Sequence, residues 1–340
     1  MQTTRRRPRR AVLSLLLPVL AAAPAAGQQK PTLAPADYDR WETPGAVTFS
    51  PDGRWLAYPI TRVDGDQQIR YRTVAPDSTR TVEHGRNAEF SADSRWLAYS
   101  IGVSEKERAA AEKASKPVHS KLGLVDLRSG ATVTVDDIAS FAFSGDGRYL
   151  ALRGYMPEGR KSKGLDIIVR ELASGRHTSL GNVADFRWQD RGRLLAMTID
   201  AEGKLGNGIQ LYDPATGSLR MLESDTASYT GLVWREGSAD LAVMKVRSSA
   251  DREGDTHVVI AWRGLDGAKP VRTEFDPARR ARFPVDTRIV DFRSLEWAKD
   301  GGTIFFGIQP WDRKATGATK AAADSASADS ARATPATADD

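Results

Sequence analysis

The chain has 340 residues, 40% of them hydrophobic, 8% aromatic and 27% charged, a globular balance that excludes wholesale disorder and a collagen-like fibre. It has no cysteine, which excludes disulfides, thiolate metal sites and cysteine nucleophiles. The formal charge of +5 is supplied by Arg5, Arg6, Arg7, Arg9 and Arg10; the rest is neutral, with no basic stripe interleaved with aromatics, so no nucleic-acid partner is expected.

Those arginines open residues 1–27. An apolar stretch follows from Ala11 to Ala23, then the small residues Ala25, Ala26 and Gly27. A basic start, an apolar middle and a small-residue end make a secretory signal peptide. Arg9-Arg10-Ala11-Val12-Leu13 also resembles a twin-arginine signal. The expectation is export to the periplasm or the extracellular space. No other run approaches 18 apolar residues, so no membrane span is expected once the signal is removed.

The body repeats itself. Phe49 opens FSPDGRWLAY, Phe90 opens FSADSRWLAY and Phe143 opens FSGDGRYLAL. Weaker copies start at Trp188, Trp234 and Trp297, and successive anchors lie 41, 53, 45, 46 and 63 residues apart. In each copy an aromatic ends one strand, and Pro-Asp-Gly or a variant makes a tight turn. Trp-Leu-Ala-Tyr or its equivalent then alternates as a second strand. A second hairpin follows, turning at Arg128-Ser129-Gly130, at Ser174-Gly175 and at Thr216-Gly217. Two hairpins per period form a four-stranded blade, and a blade buries little until blades stack. The fold class expected is all-β: a WD-like β-propeller of four-stranded antiparallel blades over 38–313, with six repeats visible and the last incomplete. The sixth repeat shows one hairpin only. The segment Lys30 to Glu42 precedes the first blade and is a candidate to lend the ring a strand. At Gly53 and Gly147 the turns call for positive φ, and a β-branched replacement there is expected to cost on the order of 1–3 kcal/mol.

Two stretches interrupt the repeat. Glu105 to Ala114 (EKERAAAEKA) is built of helix formers and is expected as a short exposed helix or mobile loop. Residues 314–340 hold no Leu, Ile, Val or aromatic and are expected to be disordered, because they cannot bury enough apolar area to offset ordering entropy.

Catalytic signatures do not accumulate. There is no GxSxG elbow, no phosphate-binding Gly-rich loop and no GxGxxG. His84, His119, His177 and His257 share no helical metal-ligand spacing. Asp52, Asp93, Asp146 and Asp300 belong to turns, Asp136-Asp137 to the end of a strand, and His177 to a strand surface. No catalytic, cofactor-binding or metal-binding residue is assigned, and no cofactor.

The repeated FSPDGRWLAY unit with its Ser-Gly hairpin partner resembles the exported TolB-type propellers. It also resembles the N-terminal propeller of prolyl oligopeptidase-like serine peptidases, including dipeptidyl peptidase and acylaminoacyl peptidase relatives. The resemblance covers Tyr38 to Trp311. Three features incline it to the peptidases: Tyr38-Asp39-Arg40-Trp41-Glu42 leads straight into the first repeat, a charged insertion precedes Lys121-Leu122-Gly123-Leu124-Val125-Asp126, and a low-complexity stretch follows Gln309-Pro310-Trp311. In that family the propeller precedes an α/β-hydrolase domain carrying Ser, Asp and His, and admits only short or unfolded peptides to it. No such domain lies in this sequence, and no catalytic residue carries over. The resemblance implies either the propeller fragment of a secreted serine peptidase, with peptide substrates and a hydrolase domain as partners, or a stand-alone TolB-like module with an envelope protein partner.

Overall fold

A computed structural model describes residues 34–38, 41–75 and 79–314. The expected signal peptide lies outside the described residues, as does the expected disordered tail apart from Lys314. The described chain forms successive antiparallel sheets in sequence order, each an up-and-down meander, and they stack as the blades of a propeller.

Blade 1 pairs Glu42–Pro44 and Thr48–Phe49 with Trp55–Arg62, followed by Gln67–Thr73 and Arg80–Glu83. Blade 2 runs Gly85–Phe90, Trp96–Ile101, Lys121–Asp126 and Thr132–Val135. Blades 3 and 4 are fused into one seven-stranded sheet by the long strand His177–Trp188. Its first half is the outer strand of blade 3 and pairs with Leu165–Glu171; its second half is the inner strand of blade 4 and pairs with Leu195–Ile199. Blade 5 runs Tyr229–Trp234, Leu241–Arg247, Thr256–Arg263 and Val271–Phe275. Blade 6 is a single broken hairpin among the described residues: Thr287–Val290 pairs with Gly307–Pro310, and Glu296–Trp297 with Ile304–Phe305. The expected incomplete sixth repeat is thus what the sheets show.

Every repeat aromatic ends an inner strand: Phe49, Phe90, Phe143, Trp188, Trp234 and Trp297. Where it is described, the segment before blade 1 does not lend a strand to another blade. It forms the short helix Pro35–Tyr38, and Glu42 opens the inner strand of blade 1 itself, opposite Arg62.

What packs one blade on the next is an aromatic over an alanine. The second strand carries Ala57, Ala98, Ala151, Ala196 and Ala242, each at most 1% exposed. Each shares a core with the inner-strand aromatic of the following blade: Phe90, Phe143, Trp188, Trp234 and Trp297 in turn. A methyl group there lets the next blade approach to ring contact, which a larger residue would prevent. At the corresponding position blade 6 carries Phe305, opposite Glu296 as Ala242 is opposite Val233.

The three tryptophan anchors add a directional bond. Trp188 Nε1 donates to Ala142 O at 3.0 Å, Trp234 Nε1 to Arg187 O at 2.9 Å and Trp297 Nε1 to Val233 O at 3.3 Å. Each acceptor immediately precedes the anchor of the preceding blade, so the indoles lash blades 3 to 6 together. Trp234→Phe should keep most of the packing and lose the bond, at a cost of about 1–2 kcal/mol. Denaturant titration reads this directly, and an unchanged midpoint would show that the indole bond contributes nothing.

Helix Glu105–Lys113 fills the insertion of blade 2, as expected for EKERAAAEKA. Ser104 and Glu107 form a reciprocal capping box, and no helix residue is buried. Its first turn rests on blade 1, where Glu105 N donates to Asp66 Oδ1 at 2.6 Å.

Candidate functional site

The repeat turns occupy one face of the stack, and their chemistry is structural. Ser50, Ser91 and Ser144 are each at most 3% exposed. Each hydroxyl donates to the turn aspartate (Asp52, Asp93, Asp146) at 2.6 Å. Each also accepts from the backbone of Trp55, Trp96 or Tyr149 at 2.9–3.0 Å. The same aspartates accept from the N–H of Arg54, Arg95 and Arg148. Each serine hydroxyl is thus spent on closing its own turn. Asp300 accepts from Gly302 N in the last turn. The turns also touch across blades: Asp52 N donates to Ser94 Oγ, Asp146 N to Gly192 O and Gly237 N to Asp190 Oδ2.

Arginine in the repeat does a second job. Arg95 reaches Asp126 at 2.8 Å and Arg193 reaches Asp213 at 2.8 Å, each joining the first turn of a blade to the end of its third strand. In blade 5 the polarity is reversed, with Arg235 preceding the turn and Asp240 following it. Arg247 holds Asp276, which is 4% exposed, through two bonds of 2.8 and 3.0 Å. Hydrogen bonds from Arg95 and Arg193 hold Asp126 and Asp213 below the ordinary carboxylate range. Burial pushes Asp276 up, but the hydrogen bonds from Arg247 and the Ala278 N–H, with the Arg247 and Arg279 charges, together outweigh it and the net shift is downward. A depressed carboxylate stabilises the fold above its unfolded pKa of about 4 and loses that contribution as pH falls through the folded value. Thermal melts should therefore be steady from pH 7 to about 5 and fall steeply below pH 4. Asp276→Asn should melt lower at pH 7 and show a shallower acid decline. A parent melt unchanged down to pH 3 would contradict this.

The opposite face, where the inner strands begin, holds a cavity of about 600 Å³ over blades 3 to 6. Lys163, Asp185, Asp200, His257, Arg288 and Asp291 are among its walls. Most of these groups are already anchored. Asp200 accepts from Lys163 N at 2.8 Å and from Asn207 Nδ2 at 3.1 Å. Asp185 accepts from Phe186 N and Arg187, both at 2.9 Å. Arg288 donates to Asp255 O at 2.6 Å. His257 is 2% exposed, and its Nδ1 lies 2.8 Å from Ile289 O in blade 6. A carbonyl only accepts, so the Nδ1 proton is fixed there. Nε2 then faces Asp291 Oδ2 at 3.9 Å. Mixed charge and several backbone-pinned groups make walls suited to a polar ligand with both donors and acceptors.

The four histidines lie apart in the fold. His84 joins blades 1 and 2 and has φ 56. His119 stacks on Tyr155 at 4.1 Å with Nδ1 3.0 Å from Asp137, and His177 is an exposed strand residue. Asp136 and Asp137 connect blade 2 to blade 3, Asp136 pairing with Lys121 at 2.9 Å. Sequence reasoning passed over His257 and the cavity. The one available signal was an isolated His inside the apolar strand Thr256–Arg263.

No protein-family model matches the chain, and no curated protein matches it in sequence. Solved structures resemble it in shape. A prolyl endopeptidase aligns with TM-score 0.48 and 14% identity, over 81% of this chain and 43% of that one. The β-propeller domain of the Trilobed protease from Pyrococcus furiosus aligns with TM-score 0.44 and 12% identity, over 82% and 86%. TolB from Acinetobacter baumannii aligns with TM-score 0.33 and 13% identity, over 69% and 55%. The chain thus spans less than half the length of the prolyl endopeptidase it matches. Its own sheets decide the fold: stacked antiparallel meanders in sequence order, with an aromatic of each blade seated on an alanine of the one before, make this chain a β-propeller region.

Proposed function

We propose that this chain is the non-catalytic propeller portion of an exported prolyl oligopeptidase-type serine peptidase, gating the entry of short peptides to a hydrolase domain. The observation that carries the reading is the polar cavity of about 600 Å³ framed by the loop ends of blades 3 to 6. An extended peptide presents alternating N–H and C=O groups, and walls of mixed charge with fixed backbone partners complement them. Rigid blades hold the walls in place, so the opening can select by size. The basic, apolar and small-residue segments of residues 1–27 support export, and no helix of the described residues is long and apolar enough to cross a membrane.

Two measurements test this. Purified chain, cleared of host proteases, is assayed on short Pro- and Ala-containing peptide anilides; no turnover is expected. The encoding DNA is then read past the codon for Asp340, and the expected result is a continuing frame with a GxSxG segment. Turnover by the chain itself contradicts the reading. A frame that closes at once, with specific retention of an envelope protein by the chain, replaces it with the TolB-like binding module.

A further inference from the structure

We infer that the wall of the polar cavity built by blades 3 and 4 is a carboxylate subsite centred on Lys163. It takes a short peptide by its free C-terminus or by an acidic side chain. The choice of a peptide rests on the peptidase reading; the choice of a carboxylate rests on the wall alone.

The charges of the cavity are divided between its walls. Blades 3 and 4 contribute Lys161, Lys163 and Lys204 against Asp185 and Asp200, an excess of cations. Blades 5 and 6 contribute Asp255 and Asp291 against Arg288, an excess of anions. The aspartates of the first wall are spent within the fold. Asp200 accepts from Lys163 N and Asn207 Nδ2, and Asp185 from Phe186 N and Arg187 Nη1. The three lysine ammonium groups have no ion pair or hydrogen bond among the described residues. On the second wall the cation is the engaged group, since Arg288 donates to Asp255 O at 2.6 Å. Asp291 is half exposed there. An anion entering the cavity is therefore drawn to blades 3 and 4 and repelled from blades 5 and 6.

The backbone under Lys163 is held on both sides. Its N–H donates to Asp200 Oδ2 at 2.8 Å, and its carbonyl accepts from Arg153 Nη2 at 3.2 Å. Arg153 Nη1 donates in turn to Ala184 O at 2.7 Å, which ties the loop of blade 3 to the inner strand of blade 4. Ser162 is buried and accepts from Arg160 Nε at 3.1 Å, while Lys161 and Lys163 on either side of it are exposed. The loop thus fixes where the ammonium groups start from, and none of its bonds uses them. This is the arrangement that a charge-reading position needs: a pinned backbone and a free head group.

A carboxylate fits this wall by count as well as by sign. It offers two oxygens with about four lone-pair sites, and each lysine offers three donors. Lys163 can therefore share one carboxylate with Lys161 or Lys204. The cavity of about 600 Å³ leaves room for a peptide of a few residues beyond the carboxylate.

The probe is N-acetyl-tetra-alanine, whose carboxylate is its one charge, titrated into the intact chain by calorimetry. Its C-terminal amide is the control. The acid should bind saturably and the amide about tenfold more weakly or worse. Lys163→Gln should bring the acid down to the affinity of the amide, and Lys163→Arg should restore it. Should Lys163→Gln melt differently from the parent, salt decides: from about 0.05 to 0.5 M NaCl the acid should weaken and the amide should not. An amidated peptide with one internal Glu separates the two sources. Binding tighter than the acid assigns the subsite to acidic side chains, and weaker binding assigns it to the C-terminus. Equal affinity of acid and amide, no saturable binding of any carboxylate peptide, or an unaltered affinity in a folded Lys163→Gln overturns the proposal. So does displacement of the peptide by an equal concentration of acetate, which makes the wall a general anion site. A reading frame without GxSxG strikes the peptidase reading while this binding stands. Absence of binding with GxSxG present strikes the subsite and leaves a cavity that sorts by size.

Discussion

Gly147→Val is expected to destabilise the chain by about 3–5 kcal/mol, two costs acting at once. Gly147 has φ 72, a conformation β-branched residues avoid. A Cβ there would lie 2.7 Å from Asp93 N and 3.2 Å from Ala92 N, backbone atoms of the preceding blade's turn. Backbone cannot swing aside as a side chain can, so the turns of blades 2 and 3 must separate. Gly53 provides the comparison: its φ is 69, but nothing lies within 4 Å of the added atom. Gly53→Val carries only the conformational term, about 1–2 kcal/mol. Guanidinium unfolding of both variants separates the two costs. Equal losses would show that contact between turns does not hold the blades together.

Ala242→Phe should cost about 3 kcal/mol or more by overpacking, whereas Phe305→Ala should stay within about 1 kcal/mol of the parent. The two positions correspond in their blades and differ in what covers them. Ala242 is 0% exposed, in one core with Trp297 of the next blade. A phenyl ring would push Trp297 away and break its bond to Val233 O. Phe305 is 57% exposed, with no following blade upon it among the described residues. If Phe305→Ala proved as damaging as Ala242→Phe, the outer face of blade 6 would have to be covered.

Much of this architecture was legible because a strand period of two, a turn that needs Asp and Gly, and an aromatic stop recur together. The six anchors read from the sequence are the six inner-strand ends. Gly53 and Gly147 take positive φ, and EKERAAAEKA forms a helix. Other features depend on distance in space. That Trp188, Trp234 and Trp297 share a bond across blades, while Phe90 and Phe143 lack the donor, follows only once the acceptors are placed. The fusion of blades 3 and 4 was hidden because Gly181-Asn182 reads as a turn, yet the strand passes through it with a bulge and Asn182 at φ 55. The cavity was illegible for the same reason. Its walls come from residues between Lys161 and Asp291, each ordinary in its own segment.

Native-state hydrogen exchange tests the central claim, a stack of blades in chain order with blades 1 and 6 at its ends among the described residues, most directly. Among the described residues no hydrogen bond, ion pair or core cluster joins the strands of blade 1 to those of blade 6, and Phe49 is 57% exposed. Interior blades are supported on both faces and end blades on one, so opening free energy should grade from the ends inward. Amides near Phe143 and Trp188 should exchange slowest, and those of Trp55–Arg62 and Ile304–Pro310 fastest among the strands. Equal protection across all six blades in a monomeric protein would contradict the account and point to a closed ring.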